Sequence, residues 1–264
     1  MQKLTGIGKI YNGIKYDFPL KECISSVLEG AEEFILVVCK DSEDNTIEFC
    51  KDMASKEPRL KLIYDVWRET PTENYKNMAR LANKAISSVK TDWFVSVDMD
   101  EIMPLNASKN LVLYLNSIPN DIGVVQLRFH HLYFDIKHEI LGKLYPHIHR
   151  IARSKMDWQS GSDGCGLGGG KGKEFITNIC TCHYGYLREM QIALEKETRF
   201  QIDLYHNGVQ GLPDSRLIDF FKNPPKSSKD FWQAFVSPND KVIHYNGPNQ
   251  HPLAIRKYGK INDL

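Results

Sequence analysis

The chain has 264 residues, with 34 basic side chains against 33 acidic ones and a formal net charge of +1. So even a balance excludes a global field that would gather nucleic acid or an anionic membrane, and partners must be argued from local sites. No apolar run approaches the roughly 20 residues of a membrane span, and the polar start Met1-Gln2-Lys3-Leu4-Thr5-Gly6 has no signal-peptide core, so the expected location is cytoplasmic.

Taken in order, Ile7 to Ile14 is expected as a strand and a helix opens near Pro19. Leu20, Cys23, Ile24, Val27 and Leu28 recur at helical spacing, and Gly30 is placed to end that helix. Phe34 to Cys39 is an unbroken apolar run, the pattern of a strand buried on both faces of a parallel sheet. Asp44 caps a helix through Ile47 and Cys50, and Leu60 to Tyr64 is a third strand. Met78, Leu81, Ala82, Ala85 and Ile86 form the apolar face of the next helix, and Trp93 to Val97 is a fourth strand. Beyond residue 104 the rhythm loosens. Ser108 caps a helix carrying Leu111, Val112 and Leu115, Val124 to Phe129 reads as a strand, and Arg188 opens a helix with Ile192, Leu194 and Lys196. This alternation argues for a doubly wound, mostly parallel α/β sheet flanked by helices, with a C-terminal extension. The expected division is a catalytic domain over 1–204, its halves 1–104 and 105–204, with 205–264 as the extension.

The most informative residues are Asp98-Met99-Asp100-Glu101, directly after the fourth strand. Core packing asks for no carboxylates there, and such a cluster wants a hard divalent cation of the kind that accompanies phosphates. In an open α/β sheet ligands sit outside the carboxyl ends of the strands. Asp41 and Ser42 follow the second strand and Asp65 the third, so three successive strands deliver polar residues to one edge. Other patterns carry less. Cys180-x-Cys182 lacks the second pair a zinc site needs, and Gly164 to Gly169 fits G-x-G-x-x-G without the preceding strand and following helix.

Asp41-Ser42-Glu43-Asp44-Asn45-Thr46 after a strand, Ala79-Arg80-Leu81-Ala82-Asn83, Trp93 through Glu101, and Cys182-His183-Tyr184-Gly185-Tyr186-Leu187-Arg188 together resemble motifs of the family 2-like glycosyltransferases with the GT-A fold. The resemblance covers residues 7–200, and it departs at Cys39-Lys40, where the family commonly has acids that meet the nucleobase or ribose. It implies a UDP- or GDP-sugar donor, a glycan, lipid-linked or other hydroxyl acceptor, and Mn²⁺ or Mg²⁺ as cofactor. Asp41, Ser42, Asp65, Asn83, Asp98 and Arg188 are then expected at the donor. Asp98, Asp100 and His183 are expected at the metal, with Asp98 and Asp100 on one face of an extended backbone.

An inverting transfer also needs a carboxylate to accept the acceptor's proton, and Asp163, in a glycine-rich loop, is the expected base ahead of Asp135, Glu139 and Asp157. His131, Tyr133 and Trp158 supply the flat rings expected at the acceptor. Two alternatives stand beside this reading: a carbohydrate-binding protein on a transferase scaffold, and a haloacid-dehalogenase-type phosphatase, which also places Asp-x-Asp after a strand.

Overall fold

The computed structural model of the chain describes residues 1–67, 74–133, 135–141, 146–161, 166–196, 223 and 241–245. Among these, β1 (Leu4–Ile10), β2 (Glu33–Cys39), β3 (Leu60–Asp65) and β4 (Trp93–Ser96) pair in parallel, in the spatial order β3-β2-β1-β4. The connections are α1 (Leu20–Leu28), α2 (Thr46–Lys56) and α3 (Asn74–Ile86). From β1 the chain runs outward to β2 and β3, then returns to the other side of β1 as β4. The crevice at the carboxyl ends of β1 and β4 is therefore the topological switch point, where open α/β sheets bind ligands.

Burial follows the expected patterning. Phe34, Leu36 and Val38 of β2 enter one core with Leu20, Cys23, Ile24 and Val27 of α1, while Ile35, Val37 and Cys39 enter a second core with Leu81 and Ala85 of α3. Successive side chains of a strand point to opposite faces, so a strand covered on both sides must be apolar throughout. All six of these β2 residues are at most 3% exposed.

Beyond β4 the sheet continues through β5 (Glu101–Ile102), β6 (Ile122–Tyr133), β7 (Asp135–Leu141), β8 (His147–Arg153), β11 (Lys173–Tyr186) and β12 (Lys241–His244). A two-stranded sheet of β9 (Gln159–Ser160) and β10 (Leu167–Gly168) lies apart from it. β8 pairs antiparallel with β4 and β6, and β11 runs parallel to β6 while pairing antiparallel with β5. The expected α/β fold with its parallel central sheet is what the protein adopts, and antiparallel strands enter only in the second half.

Some local expectations are corrected. The first strand stops at Ile10, because Asn12 turns the chain with φ of 50° and its side-chain oxygen accepts the Glu43 N–H at 2.7 Å. Ser108 is not a cap. It lies inside α4 (Ala107–Leu115), and its hydroxyl donates to the Val27 carbonyl at 2.6 Å, stitching α4 to α1. That contact also explains Gly30, where a Cβ would lie 2.4 Å from the Ser108 carbonyl oxygen, so close approach rather than a left-handed turn requires glycine. Of the expected extension 205–264, Lys241–His244 pair with β7, and nearly all the rest lies outside the described residues. No helix among the described residues is long and apolar enough to cross a membrane.

Candidate functional site

β4 ends at Ser96, and the acidic residues form a turn closed by the Glu101 N–H donating to the Asp98 carbonyl at 2.9 Å. This corrects the expectation of an extended backbone. Asp98 and Asp100 have different partners because a turn, unlike a strand, does not keep alternate residues on one face.

Asp98 is engaged at both oxygens. Lys9 Nζ, from β1, lies 2.8 Å from Oδ1, and Arg150 Nη2, from β8, lies 2.8 Å from Oδ2. Arg150 also binds Glu101 Oε1, and both side chains are about 1% exposed. Burial works against ionisation of Asp98, but Lys9 and Arg150 outweigh it and hold the carboxyl well below the usual carboxylate range. Burial pushes Glu101 the other way, above its ordinary value, against the pull of Arg150 and with the charges of Asp98 and Asp100 adding to the rise. In this arrangement each Asp98 oxygen accepts one charge-assisted bond, and the side chain stays 26% exposed.

Asp100 sits differently. Its Oδ2 accepts from Arg188 Nη2 at 2.8 Å, with Lys196 Nζ at 4.0 Å and His183 Nε2 at 3.8 Å, the last too far for a hydrogen bond. Burial disfavours its charge, yet Arg188, His183 and Lys196 hold the carboxyl at about 2. The sheet itself delivers His183: its β11 backbone is in register with Glu101 of β5, and the next N–H, of Tyr184, donates to the Asp100 carbonyl at 2.8 Å. Burial lowers the His183 pKa, which favours the neutral imidazole that binds metals. Its Nδ1 is buried with no hydrogen-bond partner.

These two groups pass the test for a divalent ion. A carboxylate with one oxygen engaged and a neutral imidazole with an unsatisfied nitrogen are suitable donors for Mn²⁺. No group of three or more His, Cys, Asp and Glu able to hold a metal occurs among the described residues. Asp100 and His183 are two donors of the right type, and an ion of this kind usually takes its remaining ligands from waters and substrate phosphates.

The other expected donor residues make the following contacts. Asp41 Oδ1 accepts the Trp67 N–H at 2.7 Å, and Ser42 Oγ accepts the Asn12 N–H at 3.2 Å, so the loops after β1, β2 and β3 hold one another. Asp65 pairs with Lys84 at 2.5 Å and Arg80 at 3.0 Å; burial opposes its ionisation, but Lys84, the Val66 N–H and Arg80 bring it to about 2. Asn83 accepts the Ser160 N–H at 2.7 Å and so braces β9 against α3. Tyr11 and Trp67 stack, with ring centroids 5.2 Å apart and planes 12° apart, across the ends of β1 and β3.

At the expected acceptor surface, His131 and Tyr133 are 3% and 1% exposed, and the His131 ring lies 5.5 Å from that of His183. Trp158 is 7% exposed. It belongs to the second core, donates from Nε1 to the Lys171 carbonyl at 2.9 Å, and lies so near Gly170 that a Cβ there would meet the indole at 2.3 Å. Asp163 lies outside the described residues.

Sequence reasoning passed over Lys9 and Arg150. Their signal was a cation inside an apolar strand, Ile7-Gly8-Lys9-Ile10 and His149-Arg150-Ile151-Ala152, where burial demands a counter-charge.

Gly185 offers a test of His183 that leaves the imidazole itself in place. A Cβ at Gly185 would lie 2.5 Å from both Nε2 and Cε1 of His183, so Gly185→Ala forces the ring aside while the backbone has room to stay. The expected result is an unchanged fold and about a tenfold loss of Mn²⁺-dependent nucleotide affinity by calorimetry. Unaltered affinity would remove His183 from the site.

Comparison with known proteins gives one family. The model of glycosyl transferase family 2 matches residues 10–168. No curated protein matches the chain. Among solved structures, S. aureus TarS 1-349 is 12% identical, with 79% of this chain and 67% of that chain covered and a TM-score of 0.47. The same protein in complex with UDP is 14% identical, covering 87% and 78%, also with a TM-score of 0.47. The mannosyltransferase PcManGT from Pyrobaculum calidifontis, in complex with GDP-Man and Mn2+, is 21% identical over 48% of this chain and 35% of that chain, with a TM-score of 0.38.

Proposed function

The chain belongs to glycosyl transferase family 2, and on that premise we propose that it moves a sugar, with inversion, from a UDP- or GDP-sugar to a hydroxyl of a glycan or lipid-linked acceptor, using Mn²⁺ or Mg²⁺. Membership sets aside the phosphatase alternative. The observation that carries the reading is the proximity of Asp100 and His183 at the switch-point crevice, with His183 Nε2 3.8 Å from Asp100 Oδ2 and no partner for Asp100 Oδ1 among the described residues.

Breaking the sugar–phosphate bond gathers charge on the leaving nucleoside diphosphate, and catalysis must stabilise that charge more in the transition state than before it. A divalent ion supplies Lewis-acid stabilisation when bound. Asp100 and His183 are the residues that would hold it. Lys196, 4.0 Å from Asp100 Oδ2 with its side chain 21% exposed, adds positive charge on the same side. The stacked Tyr11 and Trp67 offer an aromatic wall for the base. Asp163 is the base of this reading, taking the acceptor hydroxyl's proton.

The test is a thermal-shift screen of UDP- and GDP-sugars with and without Mn²⁺, followed by NMR of the product's anomeric configuration. A ligand at 100 times its Kd adds about 2.7 kcal/mol to stability, so the right donor raises the melting temperature by several degrees, and only with the ion present. Failure of every nucleotide sugar under both conditions refutes the function. Retained configuration in the product refutes inversion and the role of Asp163.

A further inference from the structure

Arg188 lies two residues past β11 and is 2% exposed. Its guanidinium donates in three directions: from Nε to the Tyr16 carbonyl at 2.8 Å, from Nη1 to the Gly185 carbonyl at 2.9 Å, and from Nη2 to Asp100 Oδ2 at 2.8 Å. Its carbon centre lies 4.5 Å from the Phe18 ring centroid. Taking a guanidinium out of water costs several kcal/mol, which only well-placed acceptors offset. The acceptors here come from three separate segments: the loop between β1 and α1, the acidic turn, and the end of β11 that carries His183.

This arrangement decides how Asp100 is presented. Arg188, Lys196 and His183 all approach Oδ2. Oδ1 has no partner among the described residues. A planar carboxylate with one oxygen fixed by a charge-assisted bond has the direction of its other oxygen fixed as well. At the same time, the bond to the Gly185 carbonyl holds the end of β11 against which the His183 ring rests. One rigid fork therefore sets both groups.

We propose that Arg188 is a positioning residue. It locks the Asp100 carboxylate and the end of β11 at Gly185 in mutual register, so that Asp100 and the His183 imidazole meet a divalent cation and diphosphate as a preformed pair, while Arg188 itself touches neither. The inference rests on the proposed function. It departs from the expectation that Arg188 binds the donor directly, because its fork is spent inside the protein. Lysine cannot replace it, since an ammonium is a point donor without the planar fork that reaches three fixed acceptors.

The experiment compares UDP and GDP affinity by calorimetry in Mn²⁺ and in EDTA, for the wild type, Arg188→Lys and Phe18→Leu. Phe18→Leu keeps the charge and removes the aromatic face under it. The metal's enhancement of nucleotide affinity should fall about tenfold or more in Arg188→Lys, and by a smaller factor in Phe18→Leu, while affinity in EDTA stays within about twofold of wild type. If Arg188→Lys does not fold, the Phe18→Leu enhancement alone decides the matter. An unchanged enhancement overturns the proposal, and so does an equal loss in EDTA, which would mark Arg188 as a direct diphosphate contact. A wild type with no enhancement at all refutes the metal-dependent function together with this inference.

Discussion

Asp100→Asn is expected to abolish the effect of Mn²⁺ on nucleotide binding and to lower sugar transfer by about 10²- to 10³-fold. The substitution keeps the size and hydrogen-bonding shape of the side chain but removes the charge that Arg188, His183 and Lys196 surround. Loss of that charge leaves the imidazole without its carboxylate partner, and an amide oxygen is a much weaker ligand for a hard cation. Calorimetric titration of UDP and GDP, with and without Mn²⁺ and below the variant's melting transition, measures the effect directly. Metal-dependent affinity equal to that of the wild type would show that the site lies elsewhere. Asp98→Asn should behave differently: its oxygens bind Lys9 and Arg150, so it acts on the architecture of the crevice before it acts on the ion.

The second large effect concerns stability. Arg150→Met should destabilise the fold by about 3–5 kcal/mol, because removing one partner of a buried ionic cluster leaves the others uncompensated. Arg150 bridges Asp98 and Glu101 across 52 and 49 residues of sequence, and among the described residues Glu101 has no other cation partner. The loss should depend on pH. Burial already raises the Glu101 pKa in the folded protein, and without Arg150 it rises further. A carboxyl whose folded pKa lies above its unfolded value of about 4.3 favours folding while protonated, and that contribution disappears as pH rises through the folded pKa. The deficit relative to wild type should therefore be larger at pH 8 than at pH 5. Urea unfolding at both values measures it, and Glu101→Gln in the Arg150→Met background should recover part of the loss. A deficit below 1 kcal/mol at pH 8 would show that the cluster is not the brace described.

Legibility in the sequence differed between the two halves for a physical reason. In the first half each strand is followed by its own helix, so every apolar run is local, and Phe34 to Cys39 or Leu20 to Leu28 announce their burial by spacing alone. In the second half the strands differ widely in length and burial, from the twelve residues of the mostly buried β6 to the two of β9. β11 buries only part of its length, with Lys173 to Ile176 exposed and Cys180 to Cys182 buried, so no single period runs through it. Its pairing with β6 is also broken by register shifts, which scramble any alternation.

The sequence by itself determined the parallel α/β core and the delivery of Asp41, Asp65 and the Asp98 to Glu101 cluster to the carboxyl ends of successive strands, because side-chain period and strand polarity are local properties of the chain. The fates of those acids were decided only by the tertiary structure. Asp98 is held by Lys9 and Arg150, whereas Asp100 meets Arg188 from 88 residues away at one oxygen, with no partner for the other among the described residues. Trp158, a flat ring expected at a sugar, packs in the second core. Such outcomes depend on which strands become neighbours and in what register, and a one-residue slip of β11 against β5 would take His183 away from Asp100. Pairings across the sheet leave no periodic mark in the sequence, so the acids were readable as a group, and the partner each of them finds belongs to the fold.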